Sequence, residues 1–275
     1  MSLPQPLYRS EQVRELDRRA LKDFGVSGYE LMERAAAAVW QIMTVRWPDA
    51  RRIGVACGPG NNGGDGYVLA RMVRAAGLDA VVVVAPGADP RTPDARRAAR
   101  EWRESGGSVR LFDGRLPTVD LWADAIYGLG LTRAPVDAAQ ALIERINASH
   151  KPVVALDVPS GLDADRGSLA GDGIRATLTV GFIGDKRGLH TGPARDFAGE
   201  VVVDSLGLPK ALWQGITPAA RRYQIEHLTD GLAPRQNLDM RYAQAAEGVT
   251  ISFIPIEPGS MLEFAGERFV VREGP

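Results

Sequence analysis

Cysteine is almost absent. Cys57 is the only one in 275 residues, so no internal disulfide can form, and the three histidines stand far apart with no CxxC or HxxxH spacing to hold zinc. A reducing, cytoplasmic setting is expected. Excess charge is absent too: 33 Lys and Arg against 34 Asp and Glu leave a formal charge of −1. No global field then draws the chain to nucleic acid or to an anionic membrane, and any anionic ligand must be held locally. Long hydrophobic runs are missing as well. The longest, such as residues 80–86, are of strand length, and the N-terminus lacks the basic and apolar regions of a secretory signal. What remains is ordinary globular composition, with enough apolar residues to bury a sizeable core.

Two helices are predicted to open the chain. The first places Val13, Leu16, Ala20, Leu21 and Phe24 on one face and stops at Gly25; the second starts at a capping box, Ser27 with Glu30, and carries Leu31, Ala35, Ala38, Val39 and Ile42. From Arg52 the pattern changes to short runs of Val, Ile and Ala, at 53–56, 80–85, 109–112, 121–126, 153–158, 177–182 and 201–204, most of them separated by helical stretches. Near-continuous apolar strands alternating with helices predict a parallel sheet covered on both faces: an α/β, doubly wound domain. The arginine-rich stretch 91–110 has Ala95, Ala98, Ala99 and Trp102 at helical spacing, which reads as a solvated helix rather than a nucleic-acid surface. From Glu226 the βα pattern ends, and residues 249–272 alternate as a β-hairpin would.

Three polar turns fall at predicted strand ends. The first, GPGNNGGDG (58–66), contains GxGxxG between a strand and a helix, a setting in which backbone amides can hold a pyrophosphate. The acid that would grip a ribose is missing from the second strand, which ends Val84-Ala85-Pro86-Gly87, and a Walker loop would need Lys where Gly64 stands. The glycines could also serve only a tight turn, but Asn61, Asn62 and Asp65 argue for a ligand. The second turn, DAIYGLGLTRAP, runs from Asp124; the third, in ALDVPSGLDAD, follows Asp157 through Ser160. In open parallel sheets such ends form the ligand crevice. Asn62, Asp124 and Ser160 offer hard oxygen donors suited to an alkali or alkaline-earth cation. Asp157 is the best candidate for proton transfer. Cys57 has no activating partner in sequence and reads as a packing residue, and His190 reads as a surface or hydrogen-bonding residue.

Taken in order after two N-terminal helices, GPGNNGGDG, DAIYGLGLTR and LDVPSGLDAD resemble the YjeF N-terminal family, the NAD(P)H-hydrate epimerases, over about residues 8–225. The resemblance implies a Rossmann-like three-layer αβα sandwich that interconverts the R and S epimers of NADHX and NADPHX, dinucleotides hydrated at C6 of the nicotinamide ring. It implies substrate contacts from Asn61, Asn62, Gly63, Gly64 and Asp65, from Gly128, Leu129, Gly130, Leu131, Thr132, Arg133 and Ala134, and from Asp157. Potassium would be held by Asn62, Asp124 and Ser160. Lys186, in GFIGDKRGLHTGPA, falls in a segment that in the family reads closer to FGxPKxG, with a departure at Gly184-Asp185; it joins Asp157 as a catalytic candidate. Fused relatives carry a kinase-like ADP- or ATP-dependent dehydratase domain. LAPR (232–235) faintly resembles its start, but the remainder is short and lacks a glycine-rich nucleotide motif. The expected organisation is therefore an epimerase domain over 1–225 and a tail over 226–275, with a functional link to a separate dehydratase. The N-terminal helices would cap the domain or pair in a homodimer. The rival readings are a scaffold that keeps the fold without catalysis and a conventional nucleotide-binding transferase or dehydrogenase.

Overall fold

The computed structural model of the chain describes residues 5–130, 135, 137–169, 171–224, 249–252, 261–264 and 267–270. The chain divides into two compact units. In the smaller, strand β1 (Gln5–Tyr8) comes from the N-terminus and the other strands from residues beyond 217.

The larger unit, Arg9–Ile216, opens with helices α1 (Ser10–Asp23) and α2 (Gly28–Arg46). The Ser27 hydroxyl caps α2 by accepting from the Glu30 N–H at 3.1 Å, while the Glu30 carboxylate turns to Arg34. Then follow β2 (Arg52–Cys57), α3 (Asn61–Ala75), β3 (Asp79–Val84), α4 (Pro93–Glu104), β4 (Val109–Leu111), β5 (Leu121–Ala125), α5 (Asp137–Ala148), β6 (Val153–Leu156), β7 (Leu178–Phe182), the two-residue β8 (Asp185–Lys186), the short α6 (Arg195–Ala198) and β9 (Glu200–Asp204).

Seven strands form one sheet in the order β4-β3-β2-β5-β6-β7-β9, and every pairing is parallel. Successive residues of the strands face opposite sides. Val55, Cys57, Leu121, Ala123 and Ala125 join the core under α1 to α4; Ala56 and Trp122 join a second core with Leu142, Ile143 and Ile146 of α5. Apolar residues on both faces are what a three-layer sandwich requires. The chain winds outward from β2 to β4, then returns to place β5 on the other side of β2. The strand order therefore reverses between β2 and β5, and the turns leaving these two strands diverge around a crevice.

The smaller unit pairs β1 antiparallel with β10 (Ala220–Gln224), and β10 parallel with β11 (Val249–Ser252). Strands β12 (Met261–Phe264) and β13 (Glu267–Val270) pair antiparallel with each other. The hairpin text of the tail thus divides: its first run pairs beside β10, and only its later residues face one another as a hairpin.

Candidate functional site

The glycine-rich turn lies at the switch point. Gly58 donates its N–H to the Ala125 carbonyl at 3.0 Å, which ties the end of β2 to the end of β5. A side chain on Gly58 would overlap the Ile126 carbonyl, and one on Gly63 would overlap the Gly58 carbonyl. These two glycines permit close backbone approach. Gly60 is different: it caps α3 without a side chain, lines the cleft and has open space where a Cβ would project. Beyond it the first N–H groups of α3 have no carbonyl one turn earlier in the helix, so they are available to an anion.

Beneath this turn lies a polar cluster that water does not reach. Asp124, at the penultimate position of β5, and Ser160 are both fully buried. The Asp124 carboxylate accepts from the Ser160 N–H at 2.8 Å, the Ser160 hydroxyl at 2.6 Å and the Ile126 N–H at 3.2 Å. Burial outweighs these bonds and pushes its carboxyl up to about 6. The Ser160 oxygen in turn accepts from the Tyr127 N–H at 2.8 Å. The next residue, Gly128, packs against Asn62, whose Oδ1 and Nδ2 are both buried without a hydrogen-bond partner. An orphaned buried amide is costly unless something else engages it.

On the cleft side stands Asp157, immediately after β6. Its carboxylate accepts from the Lys186 ammonium at 2.5 Å and from the Leu129 N–H at 3.2 Å. Lys186 is fully buried and donates also to the Phe182 carbonyl at 2.9 Å. The pair sets a buried ammonium against a carboxylate that borders the cleft. The cleft has a volume of about 1050 Å³ and is walled by α1, the start of α3, the turn after β3 and the turn after β5. Asp17, Asp65, Asp94 and Asp137 line it as well. Burial, followed by the charges of Asp157 and Asp17, pushes the Asp65 carboxyl well up; burial and then Asp157 push Asp17 up to about 6.

Residues 28–188 match the family described as "YjeF-related protein N-terminus", more than half of the chain. The chain belongs to that YjeF-related family. It is 40% identical over 238 residues to the bifunctional NAD(P)H-hydrate repair enzyme Nnr of Escherichia coli (strain K12), an alignment covering 86% of this chain and 46% of that protein. The chain thus spans less than half the length of that bifunctional relative. It is 39% identical over 206 residues to the NAD(P)H-hydrate epimerase of Achromobacter xylosoxidans (strain A8), covering 74% of this chain and 96% of that one. The crystal structure of yeast ynu0, YNL200c, superposes with a TM-score of 0.65 at 23% identity, over 77% of this chain and 94% of the yeast chain; that likeness speaks to the fold.

Within this YjeF-related domain, Asn61, Asn62, Asp65, Gly128, Leu129, Gly130 and Asp157 all line one cleft. Gly63 and Gly64 stand behind it, Gly64 against Met32. Asp124 and Ser160 form the floor beneath, and Lys186 reaches the cleft through Asp157. Leu131, Thr132, Arg133 and Ala134 lie outside the described residues. The sequence reading missed Asp17. The signal was present in α1: Leu21 and Phe24 extend the apolar stripe, yet both remain exposed, and Leu21 lines the cleft. A stripe wider than the core requires marks a helix that also faces a pocket.

Proposed function

We propose that this chain is an NAD(P)H-hydrate epimerase acting on NADHX and NADPHX. One observation carries the reading: an amide-rich helix start and Asp157, hydrogen-bonded to Lys186, border the same cleft, in a chain aligned with nearly the whole of a relative named for that activity. The substrate's chemistry accounts for the rest. Its C6 hydroxyl sits beside the ring nitrogen, so C6 is a hemiaminal carbon. Loss of the hydroxyl gives a planar iminium, and water returning to the other face gives the opposite epimer. The start of α3 and Gly60 suit the pyrophosphate, the turn at Gly128 to Gly130 holds the dinucleotide, and Asp157 moves a proton at C6. Lys186 donates to Asp157 and holds its carboxylate in place. Ring opening to an aldehyde is the competing route.

In purified R-NADHX the protein is expected to accelerate appearance of the S epimer, followed by chromatography that resolves the two. In oxygen-18 water, label at C6 favours the iminium route. No acceleration over buffer with either NADHX or NADPHX overturns the assignment. A dehydratase acting on one epimer would be the functional partner.

Asn62, Asp124 and Ser160 fit a potassium ion, because the orphaned Asn62 amide oxygen, the buried Asp124 carboxylate and the Ser160 hydroxyl are hard oxygen donors. Bound there, the ion would supply positive charge beneath the carboxylates of the cleft. Potassium should raise the melting temperature of the wild type relative to a bulky organic cation at equal ionic strength. Asn62→Ala should fold normally, since that amide bonds nothing, but lose the potassium effect. Equal stabilisation of both proteins places the ion elsewhere.

A further inference from the structure

Helix α1 turns Val13, Arg14, Asp17, Arg18 and Leu21 toward the cleft, a stripe at helical spacing. Asp17 stands in its centre with an arginine on either side, the arrangement expected to produce an ion pair. It does not produce one. Arg14 donates to the Leu129 carbonyl at 2.5 Å, and Arg18 pairs with Glu15 at 2.5 Å. Among the described residues Asp17 makes no hydrogen bond or ion pair, and its carboxyl faces the cleft partly buried.

The chemistry proposed for this cleft needs two proton-transfer groups. Asp157 already accepts from the Lys186 ammonium and the Leu129 N–H, a setting that suits a proton acceptor. The departing hydroxide requires a donor. We infer that Asp17 is a second catalytic residue of this cleft, the general acid at the C6 oxygen, with Asp157 as the base toward the incoming water. This rests on the epimerase reading.

The step balances. Protonated Asp17 gives its proton to the C6 hydroxyl as the C6–O bond breaks, so water leaves and the ring nitrogen's lone pair forms the C=N bond of the iminium. Water then bonds to C6 from the other face and gives a proton to Asp157 as the C=N pair returns to nitrogen. Passage of that proton from Asp157 to Asp17 through solvent in the cleft restores the starting state. No oxidant or co-reactant is consumed.

The surroundings of the two carboxyls differ in the sense this division requires. Burial and then the Asp157 charge favour the protonated form of Asp17, while Lys186 and Arg14 oppose them. Asp65 lines the cleft too, as do Asp94 and Asp137; Asp65 is more deeply buried than Asp17, and burial likewise raises its carboxyl.

The test uses the purified full chain, R-NADHX, and the variants Asp17→Asn and Asp17→Glu across pH 5 to 8.5. Wild-type kcat should decline as pH rises through about 6, where Asp17 loses its proton. Asp17→Asn should lower kcat at least ~100-fold, the scale of a lost general acid. Its KM should move less than ~3-fold, and the decline with pH should vanish. Asp17→Glu should recover part of the rate together with a decline displaced along the pH axis from that of wild type. A kcat for Asp17→Asn within ~3-fold of wild type overturns the assignment, as does a large loss that leaves the pH profile unchanged. Should Asp17→Asn melt below the assay temperature, Asp17→Glu decides: a pH limb identical to that of wild type counts against Asp17. A wild type inert on both dinucleotides fails the epimerase reading itself, a different result from an active wild type indifferent to residue 17.

Discussion

Asp157→Asn should lower epimerisation at least ~100-fold, because asparagine cannot take up the proton that the carboxylate accepts. It should also lower the melting temperature. Lys186 is fully buried, and among the described residues its only other partner is the Phe182 carbonyl, so the substitution strands an ammonium group away from water. Breaking a buried pair from one side costs about 3–5 kcal/mol. The converse variant, Lys186→Met, removes the ammonium that holds the Asp157 carboxylate and should also lower turnover. The double variant Asp157→Asn/Lys186→Met separates the two effects: it should regain much of the melting temperature and none of the turnover. Additive stability losses would mean that the pair is not energetically coupled, and an active Asp157→Asn would remove that residue from the mechanism. Thermal melts and the R-NADHX assay on the four proteins supply both readouts.

Gly58→Ala should be the most damaging single methyl in the domain. The added carbon would overlap the Ile126 carbonyl, a backbone atom on the neighbouring strand end that cannot swing aside. To relieve the clash β2 and β5 must part at their ends, losing the Gly58 to Ala125 hydrogen bond and disturbing Asp124. A loss of about 4 kcal/mol or more is expected, in the range reserved for core disruption, and soluble yield should fall with it. Gly60→Ala is the informative contrast. Two residues away in the same motif, its methyl meets open space in the cleft and its backbone is already extended, so folding should be untouched. The dinucleotide, however, would meet that methyl where its phosphates approach α3, and KM should rise while the melting temperature stays. If Gly60→Ala melts early and binds normally, the roles of the two glycines are reversed.

The sheet was legible because its strands are buried on both sides and so read as unbroken apolar runs. The predicted ends erred where the chain leaves the ladder: the runs at 121–126 and 153–158 continue past the last paired residues, since Ile126 and Val158 are buried in turns rather than in strands. The turns at Gly58, Asp124 and Asp157 could be placed at strand ends by counting alone, and the site follows from the reversal of strand order. Three features were out of reach. The pairing of β1 with β10 joins segments more than two hundred residues apart and has no local signature. The burial of Lys186 depends on Asp157, twenty-nine positions earlier. Asp17 was hidden because a polar residue on an amphipathic helix is ordinarily assigned to solvent, and only the tertiary structure shows that this side of α1 borders a cleft.

Asp157 itself adopts φ = 68°, in the left-handed region. Residues that enter this region readily are glycine, asparagine and aspartate, whose short side chains escape the steric penalty of longer ones. The backbone thus restricts the position to a small alphabet before any chemistry is asked of it, and only one letter of that alphabet is an acid. Glutamate, the usual substitute for aspartate, carries the right charge and the wrong conformational preference. Among the proteinogenic residues, aspartate alone meets both demands at this turn.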